Sequence, residues 1–311
     1  MTRRKPRNRA QRDLDRPPRE RYATRFVSFE SGGETCCGTL SLPSATRDPP
    51  VVVMGPELGG DRSFGLPAIA ERFAAAGYAT FRFDYRGFGD SEGTRRRIAP
   101  GHHRDDYDAA IDRVRRIDDL GPDLAVYGAG LAALHALRAA SNRRDVDAAL
   151  AITPILDGRA FLRRRGTKPF LAAMATGVRD ATVGRLTGGR TVPIVGDAAD
   201  DAVIVDPGAR RGYLDLVDRE SAWLNETPAR SLLSIARAWM GDRIEDVSAP
   251  TLVLAGETDA LAPEPEVEAV ADRLSRSTYV RMPADHWSIY GADFEPAVGH
   301  QIAFLADALD G

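Results

Sequence analysis

Apolar and polar positions along the chain fall into short blocks that change period. Tyr22–Glu30 and Thr35–Leu42 read as two strands around the turn Ser31-Gly32-Gly33-Glu34, a hairpin pattern. Val51–Met54 is apolar at every position, as a strand buried on both faces should be. Next come a helix over Leu66–Ala76 closed by Gly77, a strand at Ala79–Phe83, and a helix over Asp105–Ile117 striped by Tyr107, Ile111, Val114 and Ile117. Strand Leu124–Tyr127, helix Leu131–Ser141 and strand Ala148–Ile152 continue the alternation. It lapses over residues 155–247, where helices are expected near Ala160–Arg164, Phe170–Arg179 and Ala229–Trp239. It resumes with strand Thr251–Ala255, helix Glu264–Leu274, strand Thr278–Met282 and helix Phe294–Leu309.

Alternating strands and helices predict an α/β fold, a mostly parallel sheet with helices on both faces. The lapse reads as a lid inserted over the carboxyl edge of the sheet. The expected organisation is therefore a core of residues 22–154 and 248–311, a lid of 155–247 and a basic, disordered leader of 1–21.

Composition narrows this picture. Of 311 residues, 43% are hydrophobic and 28% charged, an ordinary balance for a globular chain, and no apolar run reaches bilayer length. Net charge is −3, but the leader carries nine Lys/Arg against three acids, so the remainder stands at −9. A basic tail on an acidic body raises nucleic-acid or membrane contact as a reading; a solvated tail accounts for it as well, and neither partner is expected. No apolar segment follows Arg3-Arg4, which argues against a secretion signal and for a cytoplasmic protein. Cys36 and Cys37 are adjacent and the only cysteines, so a disulfide framework is excluded. They read as small strand residues; no metal site or cofactor is expected.

Candidate chemistry gathers where strands end, since open α/β sheets place sites beyond the carboxyl ends of their strands. Asp84-Tyr85-Arg86-Gly87-Phe88-Gly89-Asp90 reads as a structural loop ordered by Asp84 and Arg86. Between a strand and a helix lies Tyr127-Gly128-Ala129-Gly130-Leu131-Ala132. A nucleophile elbow reads G-x-S-x-G at such a turn. The small flanking residues are present, but Gly130 stands at the apex and supplies no side chain. After later strands come Asp259 and, 27 positions on, His286: an acid and an imidazole in the order this geometry uses.

Several segments resemble the α/β-hydrolase superfamily, and more closely its dienelactone-hydrolase-like serine hydrolases, across roughly residues 50–309. Phe73-Ala74-Ala75-Ala76-Gly77-Tyr78, Phe83 through Ser91, and Asp105 through Ile111 carry the likeness. So do Pro193-Ile194-Val195-Gly196, Trp223 and Asn225 through Arg230, His135, and His286 through Glu295. Val51 through Glu57 resembles the first loop of exosortase-associated hydrolases, some of which carry Cys at the elbow. The resemblance implies an α/β-hydrolase fold with a triad of residue 130, Asp259 and His286. It also implies an oxyanion hole from the backbone N–H groups of Leu131 and Leu58.

Two departures weigh against acyl-serine chemistry. The nucleophile is missing, and Glu57 stands where His-Gly is common. A carboxylate there would oppose the negative charge that develops in acyl transfer. One reading is a non-hydrolytic or weakly active protein with a degenerate triad, binding a small molecule under its lid. The other is an ester or thioester hydrolase in which Asp259 orients His286 to activate water, with room for that water above Gly130. The sequence specifies neither ligand nor oligomeric state.

Overall fold

The computed structural model describes residues 22–184, 188–197, 200–218 and 221–309. The expected leader, 1–21, lies outside them. Eight strands form one sheet: β1 (Tyr22–Ser31), β2 (Glu34–Pro43), β3 (Val51–Met54), β4 (Ala79–Phe83), β5 (Leu124–Ala129), β6 (Ala148–Ile152), β9 (Thr251–Gly256) and β10 (Ser277–Met282). Their spatial order is β1-β2-β4-β3-β5-β6-β9-β10. β1 and β2 form the expected antiparallel hairpin, β2 pairs antiparallel to β4, and the other pairings are parallel.

The central strands bury both faces. Val51 and Val53 of β3 face one core cluster, Val52 and Met54 the other. Helices α1 (Leu66–Ala76) and α9 (Phe294–Leu309) cover the second face through Ile69, Phe73, Phe304 and Leu305. Helices α2 (Pro100–Val114), α3 (Ala132–Asn142) and α8 (Glu264–Arg273) cover the first through Tyr107, Ile111, Leu134, Leu137 and Val267. The Tyr107 hydroxyl lies 2.8 and 2.7 Å from the carbonyl oxygens of Val53 and Tyr127 and accepts the Tyr127 N–H at 3.0 Å. It thus ties β3 to β5 just below their carboxyl ends.

Two helix boundaries differ from the sequence reading. α2 begins five residues before the expected Asp105, because Pro100 suits a first helical turn that needs no N–H donor there. In place of a helix over Ala229–Trp239 there is only α7 (Ser231–Ile235), flanked by the two-residue strand β8 (Thr227–Pro228) and an antiparallel bridge from Trp239 to Asp157. Backbone pairing on both sides overrides the apolar periodicity. Between β6 and β9 also run α4 (Gly158–Arg163), α5 (Thr167–Thr182), β7 (Thr191–Val192) and α6 (Ala209–Asp215). α6 went unpredicted because of its seven residues only Ala209 and Tyr213 are buried. Cys36 and Cys37 lie side by side on β2, buried and unbridged.

Asp84 and Arg86 order the loop after β4, as expected. The Asp84 carboxylate accepts the N–H groups of Arg62 and Asp90 and pairs with the Arg62 guanidinium. Arg86 pairs with Asp106 of α2 at 2.5 Å.

Candidate functional site

Gly130 lies at the tip of the turn from β5 into α3, with φ 54°. The left-handed backbone and the tight strand–helix contact explain the local sequence. A Cβ on Gly128 would collide with the backbone of Ala132, so only glycine fits there. Three backbone bonds hold the tip: Gly130 N–H to Ile152 O at 3.0 Å, and Gly130 O accepting from Ala133 and Ile155 at 3.3 and 2.9 Å.

Asp259 and His286, 27 residues apart, meet across the ends of β9 and β10. Asp259 Oδ2 lies 2.7 Å from His286 Nδ1. Its other oxygen, Oδ1, accepts the N–H groups of Leu261 and Ala262 at 2.7 and 2.8 Å. The carboxylate is thus committed on both oxygens and cannot rotate away. The neighbouring Asp285 does different work, accepting the N–H groups of Trp287 and Ser288 and so fixing the turn that presents His286.

Glu57 completes the cluster. It follows β3 in the loop Gly55-Pro56-Glu57-Leu58, and its carboxylate lies directly over Gly130. A Cβ built on Gly130 would fall 2.6 Å from Glu57 Cδ, 2.7 Å from Oε2, and nearer still to Oε1. Oε2 stands 3.6 Å from His286 Nε2 and has no hydrogen-bond partner among the described residues. Oε1 accepts the Leu58 N–H at 3.2 Å. This corrects one expectation: the place that the missing side chain of residue 130 would leave open is taken up by Glu57. The Leu58 N–H, expected as an oxyanion donor, is already engaged. Leu131, whose N–H is the other expected donor, is buried where α3 begins, with no further contact that defines its role.

The three ionisable groups share a dry environment: Glu57 is 4%, Asp259 5% and His286 2% exposed. Burial alone would drive the imidazole neutral. Asp259, and after it Glu57, overcome that penalty and raise the His286 pKa to about 10. At neutral pH His286 is therefore an imidazolium, set between two acidic side chains.

Side chains of the segment between β6 and β9 bond to the loop that carries Glu57. Tyr213 of α6 donates its hydroxyl to Leu58 O and Trp223 its indole N–H to Gly59 O, both at 2.8 Å. Asn225 accepts the N–H groups of Ile194 and Val195 through Oδ1 and donates to Val195 O. Two stretches singled out in the sequence are thus stitched together beside the site. A cavity of about 730 Å³ opens beside His286, between α6 and the turn carrying Trp287; Arg211, Leu216, Ala260 and Tyr290 also line it. Glu57 and Gly130 do not reach its wall.

His135, singled out with the elbow, lies on α3 outside the cluster. It is buried beside Tyr85 and His103, its Nδ1 without a hydrogen-bond partner among the described residues, and burial pushes its pKa down to about 3. No group of three or more His, Cys, Asp or Glu that could hold a metal occurs among the described residues. None of their helices is long and apolar enough to cross a membrane.

Comparisons with known proteins agree with this architecture. Residues 59–283 match the family model described as serine aminopeptidase, S33; Glu57 and His286 fall just outside the matched stretch on either side. The quorum-quenching protein AidA of Acinetobacter baumannii is 32% identical over 284 residues, covering 90% of this chain and 93% of that one. Among solved structures, DcsB in complex with its substrate analogue superimposes with a TM-score of 0.80 at 18% identity, over 93% of this chain and all of the other. The hypothetical protein PA2218 of Pseudomonas aeruginosa gives 0.81 at 18% identity, over 94% and 96%. The parallel sheet, the turn at Gly130 and the Asp259–His286 contact are thus found in a chain that belongs to the serine aminopeptidase S33 family of α/β hydrolases.

Proposed function

We propose that this protein binds a small molecule beneath a lid formed by residues 155–247, and that it forms no acyl-enzyme at residue 130. The observation that carries the reading is the Glu57 carboxylate seated over Gly130, where an elbow nucleophile would project. Acyl-serine chemistry is obstructed twice over, since residue 130 has no side chain and Leu58 N–H, an expected oxyanion donor, is turned to Glu57. The dienelactone-hydrolase-like pattern read from the sequence belongs to the same proposal. The name of the 32% identical relative makes quorum-sensing signal molecules the first ligand class to test.

Two measurements test it together. The purified protein should take up no fluorophosphonate label, and its melting temperature should rise with one of a panel of signal molecules. Labelling at any serine would overturn the reading.

A second reading rests on the 2.7 Å Asp259–His286 contact, which a protein without chemistry has no need to keep. Here the pair activates water against an ester or thioester. Only a neutral imidazole can take a proton, so on this reading turnover climbs with pH toward about 10 and disappears in His286→Ala.

A further inference from the structure

We propose that Glu57 is itself the nucleophile of this site, its carboxylate replacing the side chain that residue 130 lacks, toward the acyl carbon of an ester, lactone or thioester. The inference rests on the small-molecule reading above, adds a covalent step to it, and needs the wall between Glu57 and the cavity at His286 to part for the substrate, since that cavity stops short of Glu57.

Placement is the first argument. A side chain at residue 130 would start in the volume that the Glu57 carboxyl group now fills, since its Cβ would lie within 2.7 Å of Oε2. The series Asp259, His286, Glu57 therefore repeats the acid, imidazole and nucleophile order of a hydrolase triad, with a carboxylate from the β3 loop at its end.

The state of that carboxylate is the second. A buried carboxylate with only a structural role is normally satisfied on both oxygens, because an unmet buried acceptor is costly. Asp259 meets three donors. Glu57 meets one, the N–H of the next residue at 3.2 Å, while its Oε2 faces His286 Nε2 at 3.6 Å, an ion-pair distance beyond hydrogen-bond reach, with no other partner among the described residues.

The third is proton supply. Carboxylate attack on an acyl carbon succeeds only if the leaving oxygen or sulfur is protonated, and His286, charged between its two acids, has a proton to give.

The steps balance. Glu57 attacks the acyl carbon, the bond from that carbon to the leaving oxygen or sulfur breaks, and His286 protonates the leaving atom. The product is a glutamyl–acyl anhydride beside a neutral imidazole. Water then adds to the acyl carbon and gives up a proton to His286, while the Glu57 carboxylate departs as the leaving group. Carboxylic acid, carboxylate and imidazolium are restored.

An epoxide tests the pairing, since a carboxylate opens its ring to a stable ester most readily with a proton donor beside the epoxide oxygen. Full-length protein is incubated with 1,2-epoxy-3-(4-nitrophenoxy)propane, digested, and its peptides mapped by mass. A stoichiometric ester on Glu57, absent in Glu57→Gln and slowed as pH passes about 10, is expected. Wild-type protein without an adduct on Glu57, or modified equally in Glu57→Gln, overturns the inference. Should Glu57→Gln fail to fold, the wild-type map decides alone. A fluorophosphonate adduct instead would sink the underlying reading, so the two failures are distinct.

Discussion

Asp259 and Glu57 approach the same imidazole from opposite sides and are held very differently. Asp259, at the end of β9, spends both oxygens on fixed donors and lies 2.7 Å from its nitrogen. Glu57, at the end of β3, rests at 3.6 Å with Oε2 uncommitted, filling a notch opened by a missing side chain. The first arrangement orients an imidazole. The second holds a charge ready without using it up. One buried ring is thus bordered by a carboxylate that meets three donors and by one that meets a single N–H and faces the ring at 3.6 Å, and the nucleophile proposal rests on that asymmetry.

The sharpest way to break this comparison is to restore the side chain that Glu57 displaces. Gly130→Ser alone should stay inert to fluorophosphonate, because its Cβ would lie within 2.7 Å of the Glu57 carboxyl group. Gly130→Ser combined with Glu57→Ala clears the notch and frees the Leu58 N–H. That double variant should label and should hydrolyse 4-nitrophenyl butyrate at least about 10²-fold faster than Gly130→Ser, a small part of the roughly 10⁶-fold that an elbow nucleophile contributes. Equal rates in the two variants would mean that Glu57 does not guard the turn.

A second test reads the asymmetry through protons. Glu57→Gln removes one of the two charges holding His286 as imidazolium. The imidazole resonance followed by NMR should then titrate at lower pH than in the wild type, since one of the two groups that raise it is gone. An unchanged midpoint would show that Glu57 and His286 are uncoupled.

Stability against pH separates the site from the structural histidines. His286 has its pKa raised in the folded state, so its contribution is fully present below 6.5 and is lost as pH rises through about 10. His135 is the reverse. Burial keeps it neutral when folded, and stability should fall as pH drops from 6.5 toward about 3, by about 1.4 kcal/mol per pH unit. Urea unfolding should show His135→Asn flattening the acid slope alone and Glu57→Gln weakening the alkaline one. The smallest effect is expected from Tyr107→Phe, which loosens β3 from β5 beneath the Glu57 loop and should cost about 1 kcal/mol of unfolding free energy with no change in the titration of His286.

Much of this could be read along the chain. The all-apolar strands, the hairpin around Gly32-Gly33, the turn at Gly128–Gly130 and the Asp259 to His286 spacing are local patterns, and local patterns survive folding when packing agrees with them. The helix expected over Ala229–Trp239 survives only as α7, because β8 runs to Pro228 on one side and Trp239 bridges to Asp157 on the other. Glu57 could be flagged but not placed. Its position over Gly130 depends on β3 and β5 being neighbours, with 72 residues of chain between the two positions.

From the chain alone come the fold class, the bare apex at residue 130 and the acid–imidazole pair, because each depends on residue type at a strand end. Only the folded arrangement could show that the vacancy is filled, since what fills it arrives from another strand. Only there does the charge on His286 emerge, because it is set by two carboxylates brought together in a buried space where water no longer screens them.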